Sequence, residues 1–346
     1  MTDRKAKLSF IVNPISGTHS KDEFPRLVHE TIDSQRFQAE VVFTEYAGHA
    51  AELAKQRADD GYDIVAAVGG DGTVNEVARS LVHSQTALGI IPCGSGNGLA
   101  RHLCIPLDIK KALQVINSAQ IESFDYGLIN GLPFFCTCGM GFDAFISLKF
   151  AEAGKRGPIT YVENVLKEGL KYQPDTYEVE DETGTHHYKA FLIACANASQ
   201  YGNNAYIAPG ATMKDGMMDV IIMEPFSALD APQMAADLFM KTLGNNSKIK
   251  TFRSKHIHIH RGEPGAIHYD GDPLMTGCDI DVSIEHAGIR IVTNPDATED
   301  KAQPNPVLNA FSDLFNNINN VREDIERGGR KIQAINKLML RKLSKR

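Results

Sequence analysis

The chain has 346 residues, a formal net charge of -7, 42% hydrophobic and 23% charged residues. That length exceeds the roughly 250–300 residues at which one core stops growing, so two domains are expected. The acidic balance excludes a general nucleic-acid binder, whose surface is basic. No stretch approaches the roughly 18 apolar residues of a membrane span, and no secretory leader pattern is visible, so a cytoplasmic protein is expected.

In chain order, short apolar runs at 8–12, 39–44, 64–68 and 88–91 read as strands. Helical stretches at 22–34 and 48–60 separate the first three. A further helix starts near Thr73, where Val74, Val77, Ala78, Leu81 and Val82 follow helical spacing. Repeated strand–helix alternation with short turns predicts a parallel α/β sheet. After about residue 123 the rhythm changes. Runs at 176–180, 188–196, 218–223, 255–260, 266–269 and 280–285 read as strands, with helices near 161–170 and 231–243, which predicts a β-rich second domain. A last strand at 288–293 is expected to return to the first domain. The domains expected are 1–127, with 288–303 as a candidate addition, and 128–287.

Residues 304–346 read as a helical appendage. Val307, Phe311, Leu314, Ile318, Val321 and Ile325 alternate at four and three, the seam of a helix packed on a neighbour, which would allow a homodimer. Residues 330–346 then place seven Lys and Arg side chains, and no acid, around an apolar face of Ile332, Ile335, Met339 and Leu343. Such a helix suits an anionic membrane surface.

Chemistry concentrates in two glycine-rich turns. In "VGGDGTVNEV", Gly69, Gly70, Asp71, Gly72 and Thr73 join an apolar strand to a helix. Free amides at a helix N-terminus suit phosphate, and glycines let a ligand approach the backbone. Asp71 would repel that phosphate unless a divalent cation or a hydroxyl intervenes, and magnesium resolves the conflict. Thr73-x-x-Glu76 also fits a capping box, the structural alternative. The second turn, "PCGSGNGLAR", likewise follows a strand, with Ser95 and Asn97 as hydrogen-bond donors to phosphate. Two such loops at the strand ends of one parallel sheet converge on one crevice.

GGDGTVNEV, preceded by Asn13-Pro14-x-x-Gly17 and followed by PCGSGNGLAR, closely resembles the diacylglycerol kinase and sphingosine kinase catalytic family, over about residues 8–293. The resemblance implies an α/β ATP-binding domain, a C-terminal β-sandwich-like domain and an active site between them. It implies transfer of the γ-phosphoryl group of ATP to a lipid hydroxyl, of diacylglycerol or a sphingoid base, at a membrane surface. By this similarity Asn13, Thr44, Gly69, Gly70, Asp71, Gly72, Thr73, Asn75, Glu76, Gly94, Ser95, Gly96 and Asn97 belong to the ATP pocket. Asp71 would serve Mg²⁺, and a structural magnesium site is implied at Asp215, with Thr212 and Met217 as carbonyl donors. The family's Asp-Gly-Glu motif, with its general base, reads Asp270-Gly271-Asp272 here, so Asp272 stands one methylene short and Asp270 is the neighbour that would substitute. Residues 132–135 and 142–150 are expected to line an apolar cleft, with Asp143 facing a substrate ammonium. The shared GGDG leaves a kinase of soluble substrates, of the NAD kinase type, as the alternative.

Two further motifs read as structural. "CGMGFDA" matches a dinucleotide fingerprint but lacks its strand–helix–strand context. "HIHIH" at 256–260 puts three histidines on one strand face, explained by Ile257 and Ile259 pointing inward. Six cysteines without C-x-x-C pairs read as reduced thiols.

Overall fold

A computed structural model describes residues 4–17, 21–153, 172–227 and 229–297. The first half runs β1 (Ala6–Val12), α1 (Phe24–Thr31), β2 (Phe37–Phe43), α2 (His49–Asp59), β3 (Ile64–Gly69), α3 (Asp71–Leu81), β4 (Ala87–Pro92), α4 (Gly98–His102) and α5 (Ile109–Ser118). Strands β2-β1-β3-β4 pair in parallel in that order. Every residue of β3 and β4 is buried, as continuous apolar runs require when both sheet faces are covered. All four strands end at the same edge, which gathers the 13–17, 44–48, 69–73 and 93–97 segments.

The second half contains β5 (Ile121–Ile129), β6 (Leu132–Phe134), β7 (Thr137–Gly141), α6 (Phe142–Ala153), β8 (Asp175–Asp181), β9 (Gly184–Ala190) and β10 (Leu192–Ala196). It continues with β11 (Met218–Met223), α7 (Ala231–Met240), β12 (Ile249–Ser254), β13 (His256–Arg261), β14 (Gly265–Tyr269), β15 (Asp272–Thr276) and β16 (Asp279–Val292). An antiparallel sheet of order β12-β11-β10-β7-β14-β15 faces β5, β8, β13 and β16 of the first sheet. Between them Cys138, Met140, Ile193, Val220 and Ile267 meet Val179, Ile257, Ile259, Ile280 and Val282 in one core. This is a mixed α/β fold with an N-terminal parallel sheet and a C-terminal antiparallel sandwich.

Two boundaries differ from the sequence pattern. The run expected as one strand at 188–196 is two strands, because the chain changes sheets at Phe191. The runs expected as separate strands at 280–285 and 288–293 form one strand, β16, with a bulge between Glu285 and Ile289. Its first part pairs β13 and its last part meets β4, while β5 follows it along most of its length. Ile280 and Val282 therefore pack in the sandwich, and Ile289 and Ile291 in the α/β core. The bulge re-aims the strand between the two.

The histidine strand alternates as expected. Ile257 and Ile259 are buried, while His258 and His260 bond Asp281 and Asp279 of β16. The glycines of CGMG lie on β7, an antiparallel strand, so no dinucleotide unit forms. The six cysteines are free. The helix expected near 161–170 and the appendage at 304–346 lie outside the described residues.

Candidate active site

The opening glycine turn is held by backbone contact between loops. A β-carbon at Gly94 would lie 2.6 Å from Gly70 Cα, and one at Gly17 would lie 2.0 Å from the Cys93 carbonyl oxygen. Only glycine permits these approaches. The Asn13 amide donates to Thr73 Oγ1 at 3.1 Å and its oxygen accepts from Ile15 N at 3.1 Å. Thr44, buried beside them, donates its backbone N–H to Val12 O. The residues expected to bind nucleotide thus meet at one sheet edge.

The capping box does not form. Helix α3 begins at Asp71 with Gly70 as N-cap and no side-chain cap, so Thr73 sits inside the first turn and Glu76 lies too far along to reach back. The first-turn amides are left for a ligand.

Asp71 has an unexpected pair of partners. Its carboxylate accepts from Asn97 N at 2.8 Å and Gly98 N at 2.7 Å, at the start of α4. A β-carbon at Gly96 would lie 2.7 Å from Asp71 Oδ2. One acid therefore ties the two glycine turns together, and part of its charge is directed into backbone amides. The same bonds correct the reading of Asn97. Its side chain bonds both the N–H and the C=O of Gly94, at 3.0 and 2.8 Å, and is buried. Asn97 shapes the turn, and exposed Ser95 is the side chain that remains presented.

A cavity of about 810 Å³ opens from this point. Asp71, Asn75 and Gly98 line one end, and Phe142, Ile146, Leu192, Met234 and Leu238 line the remainder, between the outer face of the six-stranded sheet and helices α6 and α7. Residues 132–135 do not line it. Phe134, the last residue of β6, is buried in the sandwich core, and Phe135, just after it, in the α/β core.

Where polar and apolar walls meet stand Asp143, His268, Tyr201 and Asp270. Asp143 Oδ2 accepts from His268 Nε2 at 3.0 Å and from Tyr201 Oη at 3.2 Å, while Oδ1 accepts from Ala144 N at 2.7 Å. With these partners Asp143 is not an open anion awaiting an ammonium. Asp270 and Gly271 both have positive φ and form the two-residue turn between β14 and β15. The Asp270 carboxylate accepts from Phe135 N, Cys136 N and Thr137 N at 2.8, 2.7 and 3.1 Å. Burial pushes its pKa up to about 6, against the opposing pull of those amides and of Arg79.

Asp272, expected as the base, turns elsewhere. Its carboxylate pairs with Arg79 at 2.9 Å, is half exposed, and is absent from the cavity wall. Arg79 projects from the last turn of α3, lies 4.5 Å over the Tyr269 ring and donates to Pro133 O. Nothing in the sequence marked Arg79, His268 or Tyr201. Their partners are distant in the chain.

Magnesium was expected at two places, and the residues fit it at one. Each Asp71 oxygen accepts a single amide and keeps a second lone pair, and few carboxylates completed by substrate phosphates are the usual magnesium arrangement. Asp215 does not fit. It pairs with the Arg253 guanidinium and accepts from Met217 N, so a fixed cation already answers its charge. Among the described residues no three His, Cys, Asp or Glu side chains cluster as metal ligands. At the structural metal site implied at Asp215, Thr212 and Met217, the one carboxylate is thus turned to Arg253.

Two family models match in succession. One describes the diacylglycerol kinase catalytic domain, over residues 7–129, and the other the YegS C-terminal NAD kinase beta sandwich-like domain, over residues 137–291. The chain belongs to the diacylglycerol kinase-like lipid kinase family. The diacylglycerol kinase of Bacillus subtilis is 25% identical over 76% of this chain and 88% of its own length. The lipid kinase YegS of Escherichia coli K12 is 28% identical over 72% of this chain and 84% of its own. An uncharacterized protein of Synechocystis, sll0036, is 28% identical, and the chain spans 65% of its length. In fold, this lipid kinase family member is similar to a diacylglycerol kinase of Bacillus anthracis, with TM-score 0.67 and 21% identity over 84% of this chain and 98% of that one. It is also similar to an NAD kinase of Archaeoglobus fulgidus solved with ATP, with TM-score 0.50 and 13% identity over 89% and 97% of the two chains. Membership supports kinase activity. No helix among the described residues of this family member is long and apolar enough to cross a membrane.

Proposed function

We propose that this chain transfers the γ-phosphoryl group of ATP to the hydroxyl of a neutral lipid, of the diacylglycerol kind. The observation that carries the reading is one continuous cavity. Its apolar part suits acyl chains, and its polar end reaches Asp71, Asn75 and Gly98 beside the glycine turns. A lipid hydroxyl at that junction would meet a triphosphate held by the first turn of α3.

Positioning and charge neutralisation supply most of the catalysis in phosphoryl transfer. The uncapped amides of α3 and exposed Ser95 would grip phosphate oxygens, while Asn13 and Asn97 hold the loops in shape. Asp71 would hold a magnesium ion, which when bound neutralises charge on the phosphates. Apolar walls would exclude water, the competing acceptor. Asp143 already has its partners, which favours an uncharged headgroup over a sphingoid ammonium. The NAD kinase alternative has the shared fold in its favour, but a cavity walled by phenylalanine, leucine and methionine suits a lipid better than a dinucleotide.

The test follows γ-labelled ATP incubated with diacylglycerol, a sphingoid base or NAD in mixed micelles. Label in a chloroform-extractable product of diacylglycerol is expected. Label only in a water-soluble product would overturn the lipid reading.

A further inference from the structure

Helix α7 has its polarity reversed. A surface helix of a globular protein ordinarily turns charge outward and apolar residues inward. The ten residues of α7 hold one charged side chain, Asp237. It is buried, and its oxygens accept from Gln233 Nε2, Thr242 Oγ1 and Asn246 Nδ2, each at 2.8 Å. Ala231, Met234, Ala235 and Leu238 share one face by their spacing and line the cavity. On the outer side Gln233, Ala236 and Met240 follow at three and four, and the Gln233 amide is already bonded to Asp237. Met240 is 69% exposed, and Leu229, two residues ahead of the helix, is 75% exposed. One helix therefore lines the cavity on one side and shows an uncharged face on the other.

Lone exposed apolar side chains are ordinary. Here two of them stand at opposite ends of a helix about 15 Å long, with no outward charge between them on that helix. Lys189, exposed, lines the same cavity, and Lys241, exposed, directly follows α7 with its ammonium 4.5 Å over the Tyr206 ring. Asp230, the acid beside Leu229, accepts from Ser227 N and Oγ. Apolar side chains bordered by lysines suit the interface of a bilayer that carries anionic lipid.

The cavity decides between a bilayer and a second copy of the chain as the occupant. A diacylglycerol leaving a membrane keeps its chains out of water only where the apolar side of the cavity meets hydrocarbon, because each methylene exposed on the way adds to the cost. Helix α7 is that side.

We infer that the outer face of α7 docks on a phospholipid bilayer, with Leu229 and Met240 seated among the acyl chains and Lys241 at the headgroups; the inference rests on the lipid reading above and names the surface through which it works.

The chain contains no tryptophan. Met240→Trp therefore puts a single fluorophore on this face, and Met275→Trp puts one on β15, at the opposite edge of the six-stranded sheet from the strands that α7 covers. Both full-length variants are mixed with vesicles of phosphatidylcholine, phosphatidylserine and diacylglycerol, with and without bromine on the acyl chains. Met240→Trp emission is expected to shift to the blue and to be quenched by brominated chains at high salt as well as low, and Met275→Trp emission to do neither. High salt screens attraction through the basic residues of 330–346, whereas seated apolar side chains survive it. The Leu229→Glu, Met240→Glu variant, its fold checked by thermal unfolding, is expected to partition to vesicles at high salt about tenfold or more weakly. The Leu274→Glu, Met275→Glu variant should bind as wild type does. Met240→Trp emission that vesicles leave unchanged overturns the docking face, and label transfer to diacylglycerol by the same variant then leaves the kinase reading intact. A dimer in sedimentation velocity that the Leu229→Glu, Met240→Glu variant loses, with vesicle binding unaltered, also overturns it, in favour of a second copy. Quenching of Met240→Trp without label in any lipid supports the face and overturns the kinase reading.

Discussion

Replacing Asp71 by Asn should weaken the folded chain even when no nucleotide is present. Each Asp71 oxygen accepts one backbone N–H, from Asn97 at 2.8 Å and from Gly98 at 2.7 Å. Bonds to a charged group contribute about 1.5–3 kcal/mol each. Asparagine accepts through one oxygen and turns its own N–H groups toward the other amide, so one bond is lost and one donor is left unsatisfied. The expected cost is about 2–3 kcal/mol, which at 2–4 °C per kcal/mol lowers the melting temperature by about 4–12 °C. Scanning calorimetry of the nucleotide-free protein measures it, beside label transfer, which should fall as well. An unchanged melting temperature with transfer abolished would show that Asp71 acts on ligand alone and that the tie between the two turns is immaterial.

Other consequences follow from the same geometry. Burial pushes the Asp270 pKa up to about 6, above the roughly 3.9 of an unfolded carboxylate. The folded chain thus holds that proton more tightly, and the stability it adds below pH about 4 is lost as pH rises through about 6. Urea titrations across that window should show this loss in wild type and not in Asp270→Asn; parallel pH curves would refute it. Met234→Trp fills the apolar end of the cavity, so it should raise KM for long-chain diacylglycerol about tenfold or more while a short-chain analogue is spared; equal effects on both would contradict the assignment of that space to acyl chains. Because Arg253 answers the charge of Asp215, a chelator should leave the melting temperature of the nucleotide-free protein unchanged, and a drop restored by magnesium would refute the ion-pair assignment.

What the sequence made legible was local. The apolar runs of β1 to β4 and the glycine turns that end β3 and β4 are contiguous patterns, and each carries its own period or punctuation. Helix α5 was not read, although Asp108 caps it by accepting from Lys111 N and Ala112, Leu113, Val115 and Ile116 are buried along one side. Helix α6 shows no polar face, since Phe142 and Ile146 look into a cavity while neighbours meet the sheet, so periodicity had nothing to detect. The site was legible as a set of loops and not as a set of bonds. Asp71 was recognised as an acid beside phosphate, yet its partners stand 26 and 27 residues away. Asp272 was placed by motif, and Arg79, 193 residues away, decides where it points. His268 and Asp143 are 125 residues apart. Pairings of that kind exist only after the sheets have formed.

Strand β16 runs unbroken from the sandwich to the parallel sheet, and β5 is stitched to it on both sides of the bulge. The two halves are therefore joined by a hydrogen-bonded ladder interrupted only at the bulge. Under the lipid reading proposed above, the route in and out of the cavity would lie at the outer cover, where Met234 of α7 packs on the six-stranded sheet and Met240 stands at its exposed end.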